Sequence, residues 1–154
     1  MNVTRCKTED DINALSNVFE AWQLEGKEKA EHFGFNLDVL CHSVYLLKMV
    51  QLDMAAVFIL RDNDKPCGYM GCLIYESPIG RDNMASEHFW YVLPEYRGSA
   101  RLLLDAAMAW ARENDCQHFH VTASRLAGDR YEHVCRLYGH LGFEPFESSF
   151  IKRL

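Results

Sequence analysis

No uninterrupted apolar run of bilayer-crossing length occurs in the 154 residues, and no charged-then-apolar leader follows Met1, so neither a membrane partner nor export is expected and the cytoplasm is the expected location. None of the six cysteines (Cys6, Cys41, Cys67, Cys72, Cys116 and Cys135) forms a C-x-x-C pair. Several sit in apolar segments, which favours buried free thiols in a reducing compartment over a disulfide framework or a metal site. Basic residues are in deficit, with 16 Lys and Arg against 22 Asp and Glu and a formal charge of −6. That balance argues against a nucleic-acid surface and is compatible with an amine or other cationic substrate. A G-x-x-x-x-G-K-S/T phosphate loop is missing as well, which sets aside a nucleotide phosphotransferase of that type. There is no internal repeat and no low-complexity segment. What the chain does have is 49% hydrophobic residues, enough to bury one good core, so a single domain over residues 1–154 is expected.

Periodicity gives a coarse map. Asn2 to Cys6 reads as a strand, and Thr8-Glu9-Asp10-Asp11 as the capped entry to a helix that carries Ile12, Leu15, Val18, Phe19 and Trp22. The charged run Glu25 to Glu31 and the following His32-Phe33-Gly34-Phe35 break that pattern. A second helix is expected from about Leu37 to Leu52. Ala56 to Leu60 and Cys67 to Tyr75 read as a hairpin around Asp62-Asn63-Asp64-Lys65-Pro66. Ser77 to Asn83 reads as a loop, His88 to Leu93 as a strand, Arg101 to Asn114 as a helix and His118 to Ala123 as a strand. Arg130 to Leu141 is expected to be helical, stopped at Gly142-Phe143, and Glu144 to Lys152 to be a final strand. The order β-α-α-β-β-β-α-β-α-β calls for an α/β fold, a mixed central sheet flanked by helices on both faces.

The most telling stretch is Val92-Leu93-Pro94-Glu95-Tyr96-Arg97-Gly98-Ser99-Ala100-Arg101, which runs straight into Leu102 to Ala111. A strand, a basic glycine turn and a helix follow without a linker. A helix start leaves backbone N–H groups unpaired and carries partial positive charge, so it can hold a phosphate. Gly98 permits close backbone approach, and Arg97 and Arg101 can neutralise an anion.

With the element order, Val92-x-Pro94-x-x-Arg97-Gly98 and Arg136-Leu137-Tyr138-Gly139-His140-Leu141-Gly142-Phe143 resemble the two motifs of the Gcn5-related N-acetyltransferase (GNAT) superfamily over nearly the whole chain. A looser likeness is to acetyltransferase-like proteins of tailed bacteriophages. The resemblance implies transfer of an acetyl group from acetyl-coenzyme A (acetyl-CoA) to a primary amine, small molecule or protein, by direct attack and without a metal. It also implies a pyrophosphate loop of Arg97, Gly98, Ser99, Ala100, Arg101 and Leu102. Tyr91 and Val92 would meet the pantetheine arm where their strand splays from its neighbour. The expected partners are the amine acceptor and, in a homodimer, a second copy.

Two departures stand out. Relatives continue with further glycines where this chain has Ser99-Ala100-Arg101-Leu102. Either Ala100 and Leu102 replace those glycines, or the loop is shorter and Ala100 to Leu103 already belong to the helix. Tyr131 stands where many relatives have an asparagine that contacts the cofactor. These departures keep a second reading alive, a catalytically weak or inactive acetyltransferase-like module that binds or builds.

By resemblance, Tyr138 is the general acid that protonates the departing thiolate; by periodicity alone it is a core tyrosine. The resemblance also makes Glu87 the leading candidate for the base, since related enzymes often place a glutamate on this strand, with His88 beside it having the more suitable ordinary pKa and a water chain as a further route. Strict alternation puts Glu87 and His88 on opposite faces. A cysteine acyl-enzyme lacks a recognisable His partner. His118-x-His120 places two imidazoles on one strand face without a third ligand. Trp22, Phe33 and Phe35 flank the charged run as an aromatic wall or as core.

Overall fold

The computed structural model describes residues 1–127 and 129–154 in full. Its elements are β1 (Asn2–Arg5), α1 (Glu9–Asn13), α2 (Ser16–His32), α3 (Val39–Val50), β2 (Ala55–Asp62), β3 (Lys65–Glu76), β4 (Asn83–Val92), a 3-10 helix (Pro94–Ser99), α4 (Arg101–Glu113), β5 (Cys116–His120), a second 3-10 helix (Arg125–Arg130) and α5 (Tyr131–His140). They form two compact units, Met1–Trp22 with Asp38–Thr122, and Gln23–Leu37 with Ala123–Leu154.

The first unit holds the sheet, in the order β1-β2-β3-β4-β5. The first three pairings are antiparallel and β4–β5 is parallel. The hairpin expected around Asp62 is present: Asp62 pairs with Lys65, and Asn63 and Asp64 take φ of 46° and 69°, the two positive angles that match a tight turn to the twist of its strands. One face of the sheet packs Val57, Ile59 and Tyr69 against Ile12, Leu15, Val18, Phe19, Leu46 and Met49. On the other face Phe58 meets Trp110 edge-on at 6.1 Å, and α4 buries Leu103, Leu104, Ala107, Trp110 and Ala111. Helices on both faces follow from strands that are apolar on both sides: Ala55 to Leu60 are all buried.

Thr8 caps α1 as its sequence predicts, accepting from the Asp11 amide while the Asp11 carboxylate accepts from the Thr8 amide. The charged run does not end the helix. α2 continues through it to His32, because Glu, Lys and Ala are strong helix formers whether or not an apolar stripe continues. The stop comes at Gly34, with φ of 82°. α3 begins at an Asp38 cap that accepts from the Cys41 amide at 2.8 Å.

The expected final strand is a correction. Residues 141–154 carry no regular element, and Glu144 to Lys152 enters no ladder. Pro145 removes one ladder donor near the start of the segment, and Phe146 and Phe150 stand exposed; alternation alone does not make a strand without an edge to pair with.

Candidate functional site

The parallel ladder between β4 and β5 covers only Asn83 to Ser86 and stops at Ser86↔His120. β4 itself runs on to Val92, paired on its other side with β3 through Gly68↔Val92. Glu87 to Val92 therefore lie beyond the ladder with β5, which itself ends at His120.

A bulge sits just past the end of that ladder. Gly71 pairs with Phe89 and Cys72 with Glu87, which leaves His88 as an extra residue. Directly opposed residues share a face, and Gly71 and Cys72, being consecutive, lie on opposite faces. Glu87 and Phe89 are thus on opposite faces, which unbroken alternation would have forbidden. Phe89 packs edge-on to His42 at 4.6 Å on the α3 side, where Gly71 also lies, against Met49 and Leu46. Glu87 turns to the α4 side beside Cys72.

Glu87 is buried, 8% exposed, and its Oε2 accepts from the Thr122 backbone N–H at 3.2 Å. Burial pushes its pKa from 4.5 up to about 7, against the lowering effect of that hydrogen bond. A carboxyl with such a pKa is a proton acceptor matched to neutral pH. Its carboxylate in turn helps to push the Cys72 thiol up, although burial does most of that; a thiol so held is no nucleophile. His88 has its pKa lowered, by burial first and by His120 second. His120 Nδ1 lies 3.4 Å from Ser86 Oγ. His118, its partner in the His-x-His pair, is instead 3.6 Å from Asp82, and no group of three or more metal-ligating His, Cys, Asp or Glu exists among the described residues.

Past β4 the chain turns directly into the 3-10 helix Pro94–Ser99 and then α4. Arg101, Leu102 and Leu103 are helical, and Ala100 is the αR residue that joins the two helices. The Ala100 amide donates to the Arg97 carbonyl and the Leu103 amide to the Ala100 carbonyl, so two of the stretch's donors are used within it. Arg97 Nε donates to the Val92 carbonyl at 3.1 Å, and its guanidinium lies 5.9 Å from the Tyr91 ring centre. Tyr91, Val92 and Arg97 are thereby brought together. Around Gly98 the space is open, with nothing within 4 Å of where a Cβ would stand. Ser99 is half-buried, Leu102 is exposed, and Arg101 faces Asp105 at 3.5 Å on the surface. An open glycine flanked by two arginines at the head of a helix fits an anionic group.

Tyr138 belongs to the second unit, where its spacing has a local cause. The Phe143 amide donates to the Tyr138 carbonyl and the Gly142 amide to the Gly139 carbonyl, with Gly142 at φ of 86°. This is the Schellman ending of a helix. The rings of Tyr138 and Phe143 sit 5.8 Å apart, the apolar contact that accompanies the cap. A tyrosine followed by three residues, glycine and phenylalanine is thus first a rule for stopping α5. In the same unit Tyr131 lies under the Arg125 guanidinium, 3.9 Å from its ring centre. Trp22, by contrast, is in the first unit and stacks on His42 at 4.5 Å, a core role; Phe33 meets His32 edge-on in the second.

Sequence reasoning did not find the bulge at His88, the Thr122 amide that holds Glu87 or the Ser86–His120 pair, because each depends on which residues face each other across strands.

The model of the acetyltransferase (GNAT) family matches residues 19–143. Among solved structures, a ribosomal-protein-alanine N-acetyltransferase from Brucella melitensis biovar Abortus 2308 superimposes with a TM-score of 0.73 at 15% identity over 100% of both chains. An aminoglycoside acetyltransferase from an uncultured soil metagenomic sample gives 0.73 at 12% identity, covering 99% of this chain and 97% of its own. A GNAT family acetyltransferase from Staphylococcus aureus gives 0.66 at 15% over 100% of both. A search of curated proteins finds no match to the chain. With the family match spanning most of the sequence and the fold shared with these acetyltransferases, the chain belongs to the GNAT acetyltransferase family.

Proposed function

We propose that this single-domain protein transfers an acetyl group from acetyl-CoA to a primary amine by direct attack, with Glu87 as the base. One observation carries the proposal: a buried carboxyl, raised to a pKa of about 7, stands on β4 just past the end of its ladder with β5. A neutral amine is the nucleophile, so the group that accepts its proton works best with a pKa near the operating pH. The C–N bond forms as the C–S bond breaks; the amine proton passes to Glu87, and the thiolate takes a proton from Tyr138. In this reading Tyr91 and Val92 meet the pantetheine arm along the part of β4 beyond its ladder with β5, and Arg97, Gly98, Ser99, Ala100, Arg101 and Leu102 hold the pyrophosphate. The acceptor is a small-molecule or protein amine, in keeping with relatives of the same fold whose names give a ribosomal-protein alanine and aminoglycosides. Six free cysteines suit a reducing cytoplasm, and among the described residues no helix is long and apolar enough to cross a membrane.

The amides of Ala100 and Leu103, already bonded within the stretch, favour the second reading, a module that binds acetyl-CoA weakly or not at all. Calorimetric titration with acetyl-CoA separates the two; no heat and no thermal shift at millimolar cofactor would sink the enzyme. Given binding, an amine screen followed by the pH–rate profile of Glu87→Gln tests the base. The wild-type kcat/KM rises through pH 7 and the variant loses that rise. An unchanged profile removes Glu87 from the mechanism.

A further inference from the structure

The loop between β3 and β4 borders a cavity at the start of β4. Glu76, the last residue of β3, pairs with Asn83, the first of β4, and directly opposed residues share a face of the sheet. Residues 77–82 between them are drawn together by a hydrogen bond from the Ser77 amide to the Asp82 carbonyl at 2.9 Å, and the Ile79 amide donates to Ser77 Oγ. The Asn83 amide donates to Gln117 Oε1 on β5 at 2.8 Å, which ties the base of the loop to the neighbouring strand. Among these fastenings lies a cavity of about 260 Å³ lined by Glu76, Gly80, Arg81 and Asn83.

Size and lining limit the occupant. Sites for drug-sized molecules run to about 300–1,000 Å³ and are mostly apolar. This one is smaller and has no aromatic or aliphatic wall, so an apolar or nucleotide-sized ligand finds nothing to pack against. Glu76 and Arg81 bring one carboxylate and one guanidinium to the same cavity, and neither side chain makes an ion pair or hydrogen bond among the described residues. The loop's other carboxylate, Asp82, faces His118 at 3.6 Å. Asn83 adds a side-chain amide, which both donates and accepts.

We propose that this cavity binds a small zwitterion, an α-amino acid, with its ammonium group on Glu76 and its carboxylate on Arg81 and the Asn83 amide. Both ionic contacts are charge-assisted hydrogen bonds, and the planar fork of a guanidinium matches a carboxylate. The ligand is bound there, not acetylated. From Asn83 to Glu87 β4 rises about 13 Å, too far for a proton transfer that needs hydrogen-bond contact. The inference is independent of the acetyltransfer reading.

Glycine is the probe, titrated into the isotope-labelled full chain and followed by amide NMR, with methylamine and acetate as single-charge controls. Glycine shifts the amides of Gly80, Arg81 and Asn83 to saturation at millimolar concentration, and either control binds about tenfold more weakly. Glu76→Gln and Arg81→Gln each raise the dissociation constant for glycine about tenfold. The exchanged pair Glu76→Arg/Arg81→Glu regains binding, because a zwitterion can turn end for end. All three variants alter exposed side chains, so far-UV circular dichroism stays as in the wild type. Absence of a saturable shift up to tens of millimolar glycine overturns the proposal. So do acetate or methylamine binding as well as glycine, single variants that bind as the wild type does, and an exchanged pair that stays unable to bind.

Discussion

Two buried titratable groups, on opposite faces of the sheet, pull the pH dependence of stability in opposite directions. His42 is 6% exposed, enclosed by Phe19, Trp22 and Phe89, with its Nε2 2.7 Å from the Tyr69 hydroxyl. Burial lowers its pKa from 6.5 to about 4. The unfolded chain therefore binds the proton first, and the stability that His42 supplies above pH 6.5 is lost as pH falls towards 4. For Glu87 the folded state binds the proton first, since its pKa rises from 4.5 to about 7. Its contribution is full below pH 4.5 and is lost as pH rises through 7. At 1.36 kcal/mol per pKa unit each effect amounts to about 3 kcal/mol. Between pH 4.5 and 6.5 the two slopes nearly cancel. Urea unfolding from pH 4 to 8 at constant ionic strength should therefore show a shallow dependence for the wild type. Glu87→Gln uncovers the His42 slope, losing about 3 kcal/mol from pH 6.5 down to 4. His42→Asn starts from a lower stability, because the aromatic box loses its ring, and uncovers the Glu87 slope, losing about 3 kcal/mol from pH 4.5 up to 7. Asp11, whose pKa is lowered chiefly by its hydrogen bond from the Lys7 amide, acts alike in all three proteins and drops out of the differences. A flat Glu87→Gln profile would show that His42 does not titrate with a depressed pKa, and the burial argument would fail with it.

Three further outcomes are expected. Tyr138→Phe keeps the ring that packs on Phe143, so the thermal midpoint and acetyl-CoA affinity stay within error while kcat falls; an unchanged kcat leaves Tyr138 a capping residue only. Gly68→Ala places a Cβ 2.8 Å from Val92 Cγ2 and 3.0 Å from the Tyr91 carbonyl oxygen, and overpacking of this kind destabilises by about 1–3 kcal/mol. Since it forces β3 and β4 apart beside Tyr91 and Val92, calorimetry should show weaker acetyl-CoA binding as well, and equal stability to the wild type would refute the close approach. Thr8→Ala removes the capping box of α1 and should lower unfolding free energy by about 1 kcal/mol in urea titration.

Much of the fold was legible because it rests on rules that act over a few residues. Thr8 and Asp11 cap a helix, Asn63-Asp64 close a hairpin, Gly142 stops α5, and Ala56 to Leu60 read as a buried strand. The misreadings came where a local pattern had two meanings. A charged run is both a solvated loop and a good helix, and α2 took the second course. An alternating tail is a strand only where an edge accepts it, and residues 144–154 enter no ladder.

The candidate site divides in the same way. By itself the sequence determined that an apolar strand ends in Arg97-Gly98 at a helix start, since composition and spacing carry that fact. The strand read from the sequence began at His88; Glu87 was set on it by the family resemblance, and β4 in the structure starts at Asn83 and includes it. Only the tertiary structure decided that the ladder between β4 and β5 stops at Ser86, that a bulge at His88 sends Glu87 and Phe89 to opposite faces, and that Thr122 meets the Glu87 carboxylate. Register and burial are properties of partners 35 residues apart in the chain, and a carboxyl becomes a base suited to neutral pH only when those partners have taken it out of water.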